Sequence, residues 1–146
     1  MFIQPGSRLP LFKIAGTDGQ VISSADFRQR YNLLLIFLDQ PRQLDYLDGF
    51  VAAAEQLRLA NTRAIAFLSQ SGFEKPLPFA TVLDPERRIY EQLGIPEKAL
   101  VLSDRFATVR KIFWAPEPIA LPEVPEVLSW VEFIDLECHE CNTPLF

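Results

Sequence analysis

The spacing of apolar positions changes several times along the chain, and each change marks an element. Leu11-Phe-Lys-Ile-Ala15 alternates loosely, meets Thr17-Asp18-Gly19 and resumes as Gln20-Val-Ile22. Asp-Gly between two short β-prone runs predicts a hairpin. Ser23 or Ser24 stands where it can cap a short helix through Ala25, Asp26, Phe27 and Arg28, and Tyr31-Asn32 ends it. Leu33 to Leu38 is apolar at every position, as expected of a central parallel strand covered on both faces. Pro41 suits a first helical turn. Beyond it, Leu44, Leu47, Val51, Ala54 and Leu57 recur at three-to-four spacing, with Asp45, Asp48, Glu55 and Arg58 on the other sides. That pattern predicts an amphipathic helix lying on the sheet.

Arg63 to Leu68 is the next buried strand, and a loop bearing Gly, Ser and Pro runs on to Pro78. Asp84-Pro85-Glu86 caps a helix that stops near Leu93-Gly94. Ala99 to Leu102 and Val109 to Trp114 form a second hairpin around Ser103-Asp104-Arg105. A Pro-rich loop (Pro116, Pro118, Pro122, Pro125) leads to a last helix with Val127, Leu128, Val131 and Ile134 on one side. Cys138-His-Glu-Cys141 is expected to follow that helix, ahead of a short tail. Strand–helix–strand units imply right-handed parallel pairing, and the late hairpin adds antiparallel strands. The expected fold is therefore α/β: a thioredoxin-like mixed sheet flanked by helices, with an N-terminal β-hairpin extension. Residues 1–146 are expected to make one domain, a length that suits a single core.

Composition narrows the function classes. Hydrophobic residues are 49% and charged residues 23%, the balance of a globular chain, and twelve Phe supply much of the packing volume. The net charge of -5 and the absence of a Lys/Arg stripe argue against nucleic acid. The longest apolar run, Leu33 to Leu38, is far too short for a membrane span. The start, Met-Phe-Ile-Gln-Pro-Gly, has neither the basic flank nor the apolar stretch of a signal peptide, so the cytoplasm is expected. The few Gly are scattered at turns, and no phosphate-binding loop is present.

The sequence resembles the alkyl hydroperoxide reductase/thiol-specific antioxidant family, the peroxiredoxins. The likeness runs through Gly6-x-x-Leu-Pro10-Leu-Phe, Asp18-Gly19-x-Val-x-Ser23, Phe27 and the strand Leu33 to Phe37. It continues in Leu83-Asp84-Pro85-Glu86-x-x-Ile-Tyr90-x-x-Leu93-Gly94 and in Leu102-x-Asp104-Arg105-x-x-x-Val109, and spans about Gly6 to Ile134. The resemblance implies a cysteine in the first turn of the helix after the central strand, where the helix dipole favours its thiolate. The family pattern is Pro, three residues, Thr, two residues, Cys. Matched from Pro41, Asp45 takes the Thr place and Asp48 the Cys place. Matched from Phe37, the three places fall to Asp39, Gln43 and Tyr46. Neither match supplies a thiol, and Lys98-Ala99 stands where the resemblance places an arginine. A peroxidase of the standard kind is excluded by chemistry.

Cys138 and Cys141 are the only cysteines. Three readings are open: a redox disulfide, half of a zinc site, or a pair of structural thiols. The resemblance extends to family members that lack the standard cysteine and end in a similar Cys-Pro-Glu-Cys, which makes the pair look like a subfamily feature without giving it a role. Working redox pairs sit at helix N-termini, whereas this pair follows a helix and is flanked by Glu137 and Glu140, all of which raise thiol pKa values. No cofactor is expected. Zinc would need four ligands, so the single pair could hold an ion only between two subunits. His139 reads as a surface residue and Asp45/Asp48 as partners of the helix dipole, with a catalytic acid pair the alternative. The expected partners are a second copy of the chain, through Phe113-Trp114 and Ile119-Ala-Leu121, and a thiol donor or protein partner. Two functions remain: a thiol–disulfide oxidoreductase using Cys138 and Cys141, and a non-catalytic thioredoxin-fold binding protein.

Overall fold

The computed structural model describes residues 3–70 and 77–141, the last four as helix backbone alone. A two-stranded antiparallel hairpin comes first, β1 (Lys13–Ala15) with β2 (Val21–Ser23), paired Ile14 to Ile22. The remaining strands are β3 (Asn32–Leu38), β4 (Thr62–Leu68), β5 (Ala80–Leu83), β6 (Ala99–Ser103) and β7 (Val109–Trp114). They form one mixed sheet in the order β5-β4-β3-β6-β7. β3, β4 and β5 run parallel, and β6 and β7 antiparallel. This is the expected thioredoxin-like arrangement with its N-terminal hairpin.

The apolar run at β3 divides between two cores because successive side chains leave a strand on opposite faces. Leu33, Leu35 and Phe37 pack with Phe12, Ile89, Tyr90 and Leu93, the last three from α3 (Arg88–Leu93). Leu34, Ile36 and Leu38 pack under α1 (Asp45–Ala52), α2 (Ala54–Leu59) and α4 (Val124–Cys141), against Leu47, Phe50, Leu57, Val127, Val131 and Ile134. α1 crosses the start of α4 so closely that a Cβ on Gly49 would stand 2.6 Å from Val124 Cγ2. The Asp84 cap is as expected: its two carboxylate oxygens accept the N–H groups of Arg88 (3.0 Å) and Ile89 (2.8 Å). Gly94 ends α3 in the left-handed conformation, φ 76°.

Three expectations need correction, and one strand stands where no element is expected. The amphipathic helix from Leu44 is two helices broken at Ala53, and the break shifts the buried stripe to Leu47, Phe50, Ala53 and Leu57. Neither Ser23 nor Ser24 caps the 3-10 turn Ser24–Phe27 with its side chain; the Ser24 hydroxyl instead accepts the Phe12 N–H at 2.9 Å. β5 was not expected: only Val82 of its four residues is fully buried, too little alternation to read as a strand. Finally, α4 runs through Cys138 to Cys141, so the pair belongs to the last helix. The loop expected before Pro78 falls largely on residues 71–76, outside the described residues. Among the described residues, no helix is long and apolar enough to cross a membrane.

Candidate functional site

The resemblance directs attention to the C-terminal end of β3, where Asp39 and Gln40 lead into a 3-10 turn, Pro41–Leu44, and then α1. Gln43 organises this turn: its Oε1 accepts the N–H groups of Asp39 (2.9 Å) and Gln40 (3.1 Å), and its Nε2 donates to Asp39 Oδ1 (2.7 Å). The Asp39 carbonyl in turn accepts from Gln70 Nε2 at 3.0 Å. Asp39 and Gln43 therefore spend their polar groups on holding the loop. Tyr46 is likewise engaged: its hydroxyl donates to the Pro122 carbonyl at 2.5 Å and its ring meets Phe50 edge-on at 5.3 Å. Burial, with Glu126 nearby, pushes its pKa further up, so this phenol stays protonated. Asp45 and Asp48 lie exposed in the first turn of α1, where carboxylates suit the helix dipole.

The floor of this end is Tyr90, fully buried. Its hydroxyl is within hydrogen-bond reach of the Leu38 carbonyl and of the Phe67 carbonyl (2.8 Å), so one proton is shared between the ends of β3 and β4. Desolvation raises the Tyr90 pKa as well. To one side, the β3–β6 register, Phe37 opposite Ala99, sets Lys98 next to the end of β3. Lys98 is only 6% exposed. Its Nζ lies 3.1 Å from Glu117 Oε1, and Arg42 Nη2 reaches the same oxygen at 3.4 Å. The Glu117 N–H donates to Glu97 Oε2 at 2.6 Å. Buried Lys98 thus has its countercharge from a half-exposed Glu117, and that pairing matters because an uncompensated buried ammonium is costly. The exposed Arg42 contact adds little.

The Cys138–Cys141 turn lies at the other end of the sheet. Arg110 on β7 binds the Glu137 carboxylate and also reaches Asp104 at 3.4 Å. Asn32, the first residue of β3, donates to Asp135 Oδ1 at 3.2 Å. These contacts hold the end of α4 beside the start of β3. Seven residues of strand at roughly 3.3 Å each put the two candidate sites about 20 Å apart. The side chains of Cys138, His139 and Cys141 lie outside the described residues. Among the described residues, no three His, Cys, Asp or Glu gather to hold a metal ion.

By sequence, the chain matches no protein-family model and no curated protein. By structure it is similar to the reduced 2-Cys peroxiredoxin of Plasmodium vivax, with a TM-score of 0.79 at 15% identity over 94% of this chain and 98% of that one. It is also similar to the mitochondrial 2-Cys peroxiredoxin of Plasmodium falciparum, with a TM-score of 0.78 at 15% identity over 98% and 99% of the two chains. The fold is that of the peroxiredoxins.

On this peroxiredoxin frame, both positions matched to the cysteine, Tyr46 and Asp48, fall in the first turn of α1, one turned inward and one outward. Lys98, which stands where the resemblance places an arginine, lies beside the end of β3 in an ion cluster with Glu117 and Arg42. Arg42 and Glu117 are 75 residues apart and come from two loops, and nothing in their local sequence announces the contact.

Proposed function

We propose that the chain is a redoxin-like protein without standard peroxidase chemistry, with thiol–disulfide exchange confined to Cys138 and Cys141. The observation that supports this is the combination of a peroxiredoxin fold with no cysteine among residues 1–137. Exchange at this pair is slow, because thiolate is the attacking species and its surroundings oppose it. The carbonyl end of α4 favours the protonated thiol, whereas the Glu137 carboxylate adds little because Arg110 already holds it. The same observation, α4 continuing through Cys141, favours the second reading, a non-catalytic binding protein whose cysteines are structural. A zinc ion would need another subunit's pair to complete four ligands.

Ultraviolet titration of metal-free, reduced protein tests the assignment. At least one thiol pKa is expected above the free value of about 8.5, with slow exchange against glutathione and little reduction of insulin. A value well below that reference would overturn the electrostatic reasoning and make the pair a fast oxidoreductase. A depressed value seen only before chelation would identify a metal site instead.

The proposal includes a cytoplasmic homodimer, with Trp114 and Ile119, both substantially exposed, as apolar contact area. Sedimentation at tens of micromolar (a chosen working concentration) is expected to give the mass of two chains, and monomer alone would refute it.

A further inference from the structure

β4 begins at Thr62, but β5 joins it only at Ala80 opposite Ile65. The first three residues of β4 therefore have no strand on that side, and the sheet edge there is notched. A cleft of about 470 Å³ fills the notch. Phe27, Leu57 and Phe79 are its apolar walls, with Ala54, Ala64, Pro78 and Ala80 between them. The volume falls within the range of roughly 300–1,000 Å³ typical of small-molecule sites. In a parallel ladder alternate residues turn their backbone groups to the same side. The Asn32 N–H to Asn61 carbonyl bond points Asn61 toward β3, which turns Thr62 and Ala64 toward the cleft.

The charges at the cleft are unequal. Arg58 is held by Glu55, with Nε to Oε2 at 3.0 Å. The Arg63 guanidinium lies over the Tyr31 ring, 4.1 Å from the centroid, and among the described residues no carboxylate pairs with it. Two arginines against one glutamate make the lining positive in a chain whose net charge is -5. An arginine stacked on an aromatic ring keeps its in-plane N–H groups available, in the geometry that suits a carboxylate.

We propose that this notch binds a small organic anion: a carboxylate on Arg63, on a flat apolar body seated between Phe27 and Phe79. The site is independent of Cys138 and Cys141, and it stands whether or not they exchange. It lies at the N-terminal end of the parallel strands, away from the end where Tyr90 and Lys98 sit.

The test uses 2-naphthoate as the probe and neutral 2-naphthylmethanol as its control, followed by amide chemical shifts of the full chain. Saturable shifts are expected at Thr62, Ala64 and Ala80, with the neutral analogue binding more weakly. Arg63→Met should weaken 2-naphthoate about tenfold, the loss of one charge-assisted hydrogen bond, and leave the neutral analogue unchanged. Arg63→Lys should recover part of that loss. An unchanged neutral analogue also shows that the variant is folded. No saturable shift at these amides, or equal naphthoate binding by wild type and Arg63→Met, would overturn the proposal.

Discussion

Hydrogen peroxide offered to the protein with an excess of thiol donor is expected to disappear at the rate of a protein-free control. The family that the sequence resembles carries its reacting sulfur in the first turn of the helix after the central strand, and here that turn offers Asp45, Tyr46 and Asp48. A carboxylate at a helix N-terminus is stabilised as an anion but cannot be oxidised to a sulfenic acid. The Tyr46 phenol is more strongly protonated than a free one and is committed to the Pro122 carbonyl. Cys138 and Cys141 follow Asp135, which is held at the opposite end of β3, a strand roughly 20 Å long. A working enzyme accelerates its reaction by on the order of 10⁶-fold or more, so the distinction is large. The Cys138→Ser, Cys141→Ser double variant should match the wild type. Turnover at an enzymatic rate that survives this double change would show that the end of β3 carries chemistry without sulfur, and the reading of that site would fail.

Substitutions at Tyr90 should have the largest effect on stability. Its ring is buried, edge-on to Phe37 at 5.0 Å, under the guanidinium of Arg87 at 4.3 Å. Tyr90→Phe keeps the ring and removes the donor shared by the Leu38 and Phe67 carbonyls. Both carbonyls keep their β3–β4 ladder bonds, so the loss is the net contribution of the hydroxyl's own hydrogen bonding, about 1 kcal/mol. Tyr90→Ala removes the ring as well and should cost about 4–5 kcal/mol, at the upper end for core truncations. Urea unfolding with an unchanged slope measures both. A Tyr90→Phe midpoint equal to wild type would mean that the hydroxyl adds nothing to the ladder bonds at the ends of β3 and β4, and the role assigned to Tyr90 would be wrong. The same variant should loosen the loop after β3, since Leu38 directly precedes Asp39 and the Gln43-centred turn.

Much of the architecture is legible in the sequence because it rests on short-range rules. The uninterrupted apolar run at Leu33 to Leu38, short and bounded by Asn32 and Asp39, reads as a strand covered on both faces, and Asp84 with Gly94 brackets α3 by cap chemistry. That residues 1–137 hold no cysteine is equally a fact of sequence, and it carries the proposal that standard peroxidase chemistry is absent. What tertiary structure decided depends on contacts between distant segments. The break at Ala53 moves the buried stripe off the even spacing that Val51 and Ala54 suggested. β5 is a strand because the β4 edge accepts it, not because four residues specify one. Cys138 and Cys141 fall within α4, which is anchored by Arg110 and Asn32 from two other strands. Lys98, Arg42 and Glu117 meet only when the β3–β6 register and the loop after β7 bring them together. The notch at Thr62–Ala64 arises from a mismatch in where two strands begin, which is a property of the sheet and of no single segment.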